Sequence, residues 1–331
     1  VERSRGLGDV YKRQMDILSD ILHVAGLRRR LLDLHALGSE AALRFPCDRS
    51  FGIHAVTRGR VFVHAPNLDE PLELQAGDLA LMARGCVHLL SLDRKPPARS
   101  TAMTAAAFSG SEPGAAMPAT GNTQVISAAY QLWHAPLHPF LRSLPPWFVV
   151  RGHTLAQLSP LPLTLGLLDR ELCNEGLGAA SATHGLLDAL FAFALREIAE
   201  RENPGVPGWH HAIADRPIRQ VLTLMHGNLG HGWTLDELGQ QVGLSRSALA
   251  ERFRSAMGDT PLNHLRTLRM QKAIQLLIDT RQTLEQVAQA VGYQDAFGFS
   301  KVFKRTTGQS PRQFREQDAA DRQEPFRLQE H

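Results

Sequence analysis

Cysteine is scarce in this chain. Its 331 residues include three, Cys47, Cys86 and Cys173, with neither metal-ligand nor disulfide spacing. That excludes a cysteine-based zinc site and a disulfide-stapled secreted scaffold, and it fits a reducing cytosol. Long apolar runs are missing too. No stretch of about 18 apolar residues exists, so the sequence encodes no membrane-spanning helix. There is no phosphate-cradling glycine loop, no dinucleotide-binding fingerprint and no nucleophile motif. The net charge is only +3, which by itself selects no partner.

What is present is enough for packed cores. Apolar residues make up 43% and charged residues 21%, a globular balance. At roughly 100–200 residues per domain the length implies two or three domains. Charge is unevenly placed. Ser245–Arg315 holds twelve Lys and Arg against five Asp and Glu, a surplus of seven, which leaves −4 for the remainder. A basic C-terminal module points to a polyanion partner, with a solvated helix surface as the plain alternative.

Residues 1–14 lack the apolar core of a signal peptide and show no helical or strand period. The last five of them look like a translated sequencing adapter, so we expect a non-native leader and a natural start at Met15; a short basic arm is the alternative. Ile17, Leu18, Ile21 and Leu22 have helical spacing and predict an amphipathic helix within Met15–Leu34. From about Leu43 to Leu92 short β-prone runs alternate with turn signals: Phe51–Val56, Arg60–His64, Leu72–Leu74, Leu79–Met82 and Val87–Leu90. Such spacing predicts an antiparallel sandwich or barrel. Arg94–Asn122 reads as a loop and Thr123–Leu132 as one more strand. Trp133, His134, His138, Trp147 and Phe148 either line a mouth or, the favoured reading, pack in the core.

Residues 160–202 are helical in texture. Leu163, Leu167, Leu168 and Leu172 form one stripe; Leu186, Leu187, Leu190, Phe191, Phe193, Ala194 and Ile198 form a nearly all-round apolar helix, either core or an oligomer contact. A Pro/Gly-rich linker follows at 203–209, then an all-helical unit over 210–318 and a polar tail over 319–331.

That last unit repeats itself. Leu235–Leu244 matches Leu284–Tyr293 at an offset of 49, and Phe253, Gly258 and Pro261 pair with Phe303, Gly308 and Pro311 at an offset of 50. Thr234 with Glu237, and Thr283 with Gln286, have capping-box spacing. Gly243 and Gly292 stand where the chain must leave a helix in a left-handed conformation. Ser245 and Asp295 are placed to cap the next helix, whose inward residues are Leu249 and Phe253, or Phe299 and Phe303. Thr260-Pro261 and Ser310-Pro311 start the helices after each unit. The result is two helix-turn-helix units. Arg246, Arg252 and Arg254 on one second helix, and Lys301, Lys304 and Arg305 on the other, make outward basic faces fit for phosphate contacts. A repeated helical hairpin can also be a protein-interaction solenoid, but that needs three or more repeats.

Trp233–Arg315 resembles the DNA-binding domain of AraC/XylS-type transcriptional regulators. Gly292-Tyr293, Phe299-Ser300-Lys301-Val302-Phe303-Lys304 and Gly308-Gln309-Ser310-Pro311 carry the likeness. By that resemblance the base-facing residues are Ser247, Ala250 and Glu251 in the first unit. In the second they are Ala296, Phe297, Gly298, Ser300 and Lys301. Lys301 and Glu251 are then the main direct readers, because Ala250, Ala296 and Gly298 have no hydrogen-bonding side chain. Phe45-Pro46, His54, Arg58-Gly59 and Gly77-Asp78 through Gly85 to His88 resemble the cupin-type domain found upstream in part of this family. A catalytic cupin holds its metal with a clustered His-x-His, a Glu and a later His. Here position 56 is Val and the Glu is missing, so no metal and no cofactor are expected. His54, His64 and His88 are candidate effector-pocket residues.

The expectation is therefore an α+β multidomain protein: an N-terminal antiparallel β cupin-like barrel over 15–158, a helical connector at 159–202 with a dimerisation role, and a C-terminal all-α double helix-turn-helix domain. The reading is a cytoplasmic, sequence-specific transcriptional regulator and not an enzyme. Its expected partners are double-stranded DNA, a small-molecule effector, a second copy of the chain and RNA polymerase, with no membrane. The alternatives are a metal-dependent cupin enzyme with an accessory DNA-binding domain, and a protein-interaction adaptor.

Overall fold

The structure, a computed structural model, describes residues 27–37, 42–46, 50–95, 100–102, 123–132, 138–173, 176–200 and 208–321. They fall into two compact units, one within 27–133 and 144–198, the other within 134–143 and 199–323. The expected leader, most of the Pro/Gly linker, Cys47, Trp133 and His134 lie outside the described residues.

Among the described residues the first unit has ten strands: β1 (Leu27–Leu37), β2 (Ala42–Pro46), β3 (Ser50–Arg58), β4 (Arg60–His64), β5 (Leu72–Gln75), β6 (Leu79–Met82), β7 (Val87–Ser91), β8 (Ser100–Ala102), β9 (Thr123–Leu132) and β10 (Trp147–Val150). They form two five-stranded sheets, ordered β1-β9-β3-β6-β10 and β5-β4-β7-β2-β8. The pairings are antiparallel except for the parallel β2–β8 pair. Strand β3 explains the layering. Its side chains alternate between faces, and residues 50–56 are buried on both. Val56 joins Val61, Val63, Leu74 and Leu90 in the core between the sheets. Phe51 points the other way, to Phe191 of a helix, 6.0 Å between rings. Two helices, α2 (Pro160–Leu172) and α3 (Ala179–Glu200), belong to this unit. Phe191 of α3 also stacks on Tyr130 of β9 at 4.4 Å, whose hydroxyl donates to Asp188 Oδ1 at 3.2 Å.

The residues that carry the helix expected within Met15–Leu34, Ile17 to Leu22, lie outside the described residues; from Leu27 on the chain is not helical. Residues 27–37 are strand β1, paired in register with β9 from Leu37↔Thr123 back to Arg30↔Tyr130. Leu32, Leu34 and Ala36 alternate with polar Asp33 and His35, a period-two pattern that cross-strand pairing selects over helical propensity. Strands β2, β8 and β10 were also absent from the sequence reading; β8 falls inside the expected Arg94–Asn122 loop. The turn between β5 and β6 is fastened by Asp78, which is 3% exposed. Its carboxylate accepts from Arg151 Nη1 (2.7 Å), Gly152 N (2.9 Å) and Gln75 N (3.1 Å). Burial pushes its pKa up, but these donors outweigh that and hold it below the usual carboxylate value.

The second unit is helical: α1 (Pro139–Ser143), α4 (Trp209–Ala214), α5 (Arg216–Gly227), α6 (Leu235–Val242), α7 (Arg246–Met257), α8 (Pro261–Asp279), α9 (Leu284–Ala290), α10 (Ala296–Thr307) and α11 (Pro311–Asp321). The capping residues act as their positions require. Side-chain oxygens of Thr234, Ser245, Thr260, Thr283 and Asp295 accept from the backbone N–H of Glu237, Ala248, Asn263, Gln286 and Gly298. Of the two expected boxes, the reciprocal half forms at Thr283; a further box joins Ser310 and Gln313 at the start of α11. At Thr234 the glutamate turns instead to His231, Nε2 to Oε1 2.7 Å.

Candidate nucleic-acid interface and barrel interior

Each helix pair turns on a backbone constraint visible in the sequence. Gly243 (φ 69°) and Gly292 (φ 80°) are left-handed, where any side chain is strained. Inside α6, a Cβ at Gly239 would sit 2.5 Å from Leu244 O, because Leu244 N closes the turn by donating to Gly239 O. Helices α7 and α10 then run as the second helices of the two pairs. Leu249 and Phe253, and their counterparts Phe299 and Phe303, are fully buried, which fixes what faces outward.

Of the eight base-facing candidates, Ser247, Glu251, Phe297 and Lys301 are exposed, while Ala250, Ala296, Gly298 and Ser300 are half-buried; none is in the core. Helical spacing places Ser247 with Glu251, and Phe297 with Lys301, on single stripes. Between the pairs lies α8, 19 residues, which at about 1.5 Å per residue is about 28 Å long. Glu251 also borders an open groove of about 670 Å³ lined with His211, Asp215, Ala248, Arg252, Ser255 and Ala256.

Eight of the twelve cations divide into three sets. Arg269 and Arg315 turn inward and clamp backbone carbonyls just before each pair. Arg269 donates to Leu229 O and His231 O (2.9 and 2.6 Å), Arg315 to Leu277 O and Gln282 O (3.1 and 2.8 Å). Arg246 and Arg252 are exposed but paired, with Asp236 (3.6 Å) and Asp215 (2.6 Å). Arg254, Lys301, Lys304 and Arg305 are exposed and make no ion pair within the described residues. The sequence carries no signal for this inward pair: each lies on the helix that follows its unit, but at the offset of 50 Arg269 matches Ala319 and Arg315 matches Leu265.

In the first unit, His54 and His88 meet in the barrel interior, Nε2 to Nε2 2.7 Å. The hydrogen-bond partners fix the tautomers. His88 Nδ1 faces the Cys86 carbonyl at 2.9 Å, so it donates. Burial lowers the His88 pKa to about 4, leaving its Nε2 a lone-pair acceptor for His54 Nε2–H. His54 Nδ1 in turn accepts from Ser127 Oγ at 2.9 Å. Phe45 stacks on His88 at 5.1 Å, and Trp147 approaches both rings at 5.3 and 6.4 Å. His64 is not part of this group. Its Nε2 donates to Ser91 Oγ at 2.8 Å, because the Ser91 hydroxyl is already committed to Asp93 O; desolvation lowers its pKa.

This donor set does not fit a cupin metal. Two imidazole nitrogens on one ion at about 2.0–2.1 Å each stand about 3.3 Å apart in tetrahedral geometry, whereas these two share a proton. The position two residues after His54 is a buried valine. Among the described residues no group of three His, Cys, Asp or Glu is placed to hold a metal ion, and no helix is long and apolar enough to cross a membrane.

Comparison with known proteins finds two family matches along the chain. A family model described as Cupin matches residues 16–200, and one described as Helix-turn-helix domain matches 238–317. A putative AraC-like transcription regulator from Streptomyces lividans is 28% identical over 302 residues, 91% of this chain and 98% of that protein. The HTH-type transcriptional regulator AlkR of Acinetobacter baylyi is 28% identical over 248 residues, 73% of this chain and 80% of that protein. Among solved structures, an AraC-type regulator from Chromobacterium violaceum is 28% identical, covering 31% of this chain and 92% of its own, with a TM-score of 0.30. The relatives are regulators, which favours that reading over the enzyme alternative. With a cupin domain over more than half its length and the paired helix-turn-helix units that follow, the chain belongs to the cupin family and is an AraC-like transcription regulator.

Proposed function

We propose that this regulator reads DNA sequence through α7 and α10, set by α8 to meet successive major grooves about 34 Å apart. Ser247, Ala250, Glu251, Ala296, Phe297, Gly298, Ser300 and Lys301 face base edges. Arg246, Arg252, Arg254, Lys304 and Arg305 contact phosphates. The observation that carries this reading is the pair of second helices with buried aromatic or aliphatic inner faces and exposed outer stripes beside cations that form no ion pair among the described residues. A mobility-shift assay at two salt concentrations tests it. Each phosphate contact adds about 0.9 to the salt slope. From 50 to 200 mM salt, three contacts (Arg254, Lys304, Arg305) predict about a 40-fold loss of affinity, and all five about a 500-fold loss. No salt dependence would refute it.

The cupin-like domain is the control element of this proposal, in a cytoplasmic protein that works on DNA with RNA polymerase. A small-molecule effector or a second copy of the chain biases how the reading helices are presented. Two features support it. Leu163 and Leu167 on α2 are 48% and 54% exposed at helical spacing, a face suited to a homodimer. In the second unit, α4 follows the 203–209 linker and is fastened to α7 by Gly208 N to Ala256 O (2.8 Å) and by the Asp215–Arg252 ion pair. A displacement of α4 would therefore reach the first reading helix directly. Sedimentation of the wild type against Leu163→Asp checks the dimer face: a monomeric wild type removes it.

A further inference from the structure

Phe297 stands 82% exposed on the first turn of α10. The helix is otherwise well made: Asp295 caps it through Gly298 N at 2.7 Å, and Phe299 and Phe303 are fully buried. The exposed ring is thus not a misplaced core residue. Its neighbours Ala296 and Gly298 are small, so the ring projects alone. Lys301 and Lys304, at i+4 and i+7, continue its stripe, with Arg305 adjacent. All three are exposed and form no ion pair within the described residues. A large apolar group among unpaired cations is poorly suited to an apolar protein surface, which would have to desolvate those charges. It suits a polyanion that carries an apolar spot.

The major groove has one such spot, the C5 methyl of thymine. We propose that Phe297 is a specificity-determining residue that packs on a thymine methyl, beside the base pair engaged by Lys301. The two residues are four apart, about 6 Å along the helix axis, or about two base steps at 3.4 Å. Lysine favours the O6 and N7 acceptors of guanine, so the second unit prefers a thymine and a guanine about two base pairs apart. This rests on the proposed use of α10 as a reading helix.

The test selects sites from random duplexes with the full-length chain and Phe297→Ala, checking by circular dichroism that the variant is folded. The wild type is expected to show a thymine column that Phe297→Ala loses while the other columns persist. Replacing that thymine by deoxyuridine removes only the methyl. It should weaken the wild type about 4-fold, equivalent to about 0.8 kcal/mol, and leave Phe297→Ala unchanged. If both proteins select the same sites equally tightly, or the wild type is indifferent to the methyl, the assignment of Phe297 is overturned while DNA reading stands. If the wild type selects no site at all, the proposed function falls with it. If Phe297→Ala instead loses only a protein partner, the ring serves that partner and the assignment is wrong.

Discussion

Acid should loosen the helical unit through three histidines remote from the reading stripes. His138, His226 and His264 cluster around Trp209, with ring separations from His138 of 5.6 Å to Trp209, 5.6 Å to His226 and 6.5 Å to His264. His138 Nδ1 accepts from Phe140 N at 3.2 Å, so its proton is on Nε2, which has no partner. His226 Nε2, both nitrogens of His264 and Trp209 Nε1 are likewise buried without partners. The charged groups nearby are Arg142 and, paired with it at 3.8 Å, Asp259. Burial lowers the pKa to about 4 at His226 and about 3 at His264; burial and the neighbouring imidazoles hold His138 well below 6.5. Because the folded values are depressed, the unfolded chain binds more protons, and stability is full above about pH 6.5 and lost as pH falls below it. Each site loses about 1.4 kcal/mol per pH unit, or about 2 kcal/mol by pH 5. Three sites together lose about 6 kcal/mol, comparable to the whole stability of a typical domain. The assay is urea unfolding of the full chain followed by helical circular dichroism at pH 7 and pH 5. His264→Leu deletes two unpartnered nitrogens and one titration. It should match the wild type or better at pH 7 and exceed it by about 2 kcal/mol at pH 5. Equal pH dependence in both proteins would refute the argument.

Lys301→Ala should relax preference at one base position by about 1–3 kcal/mol, whereas Arg305→Ala should weaken all sequences alike and lower the salt slope by about one; site selection and salt titration separate the two. Asp78→Asn should destabilise the strand unit by about 2–3 kcal/mol, because Arg151, Gly152 and Gln75 lose a charged acceptor. With its pKa depressed, that contribution is present above the ordinary carboxylate value and lost as pH falls through the folded one; thermal melts at pH 7 and pH 3 check it. Gly239→Ala should cost more than the about 1 kcal/mol expected of the matching Ala288→Gly, since only the former drives a Cβ against Leu244 O; paired melts decide.

The helical unit was more legible than the strand unit for a physical reason. Helix caps, left-handed glycines and inward aromatics are local, so Thr283, Asp295, Gly292, Phe299 and Phe303 could be placed from sequence alone. Strand β1 is not legible because its identity depends on β9, about 90 residues away, and β8 because three residues beside β2 carry no period. The His54–His88 pair is half legible: the sequence offers both, but also His64, which pairs with Leu89 and so faces the opposite side of its sheet from His88, bonding to Ser91 of β7. Ring contacts of this kind depend on sheet stacking, which residue spacing does not encode.

Counting charge alone would mislead about how the two reading heads work. Two of the twelve cations, Arg269 and Arg315, hold carbonyls at the base of each pair and are unavailable to a duplex. On the first head Arg246 and Arg252 would have to release Asp236 and Asp215 before touching phosphate, and the stripe proposed to face bases offers Ser247 and the anionic Glu251. On the second head Lys301, Lys304 and Arg305 form no ion pair among the described residues, whereas on the first Arg254 alone of its three arginines is in that state. The second head should therefore supply most of the salt-dependent affinity, and the first should discriminate, with Glu251 accepting from a cytosine amine and repelling sites that lack one. Under that division Arg252→Ala lowers the salt slope by less than Lys304→Ala, because the phosphate contact it removes competes with an ion pair the free protein already has.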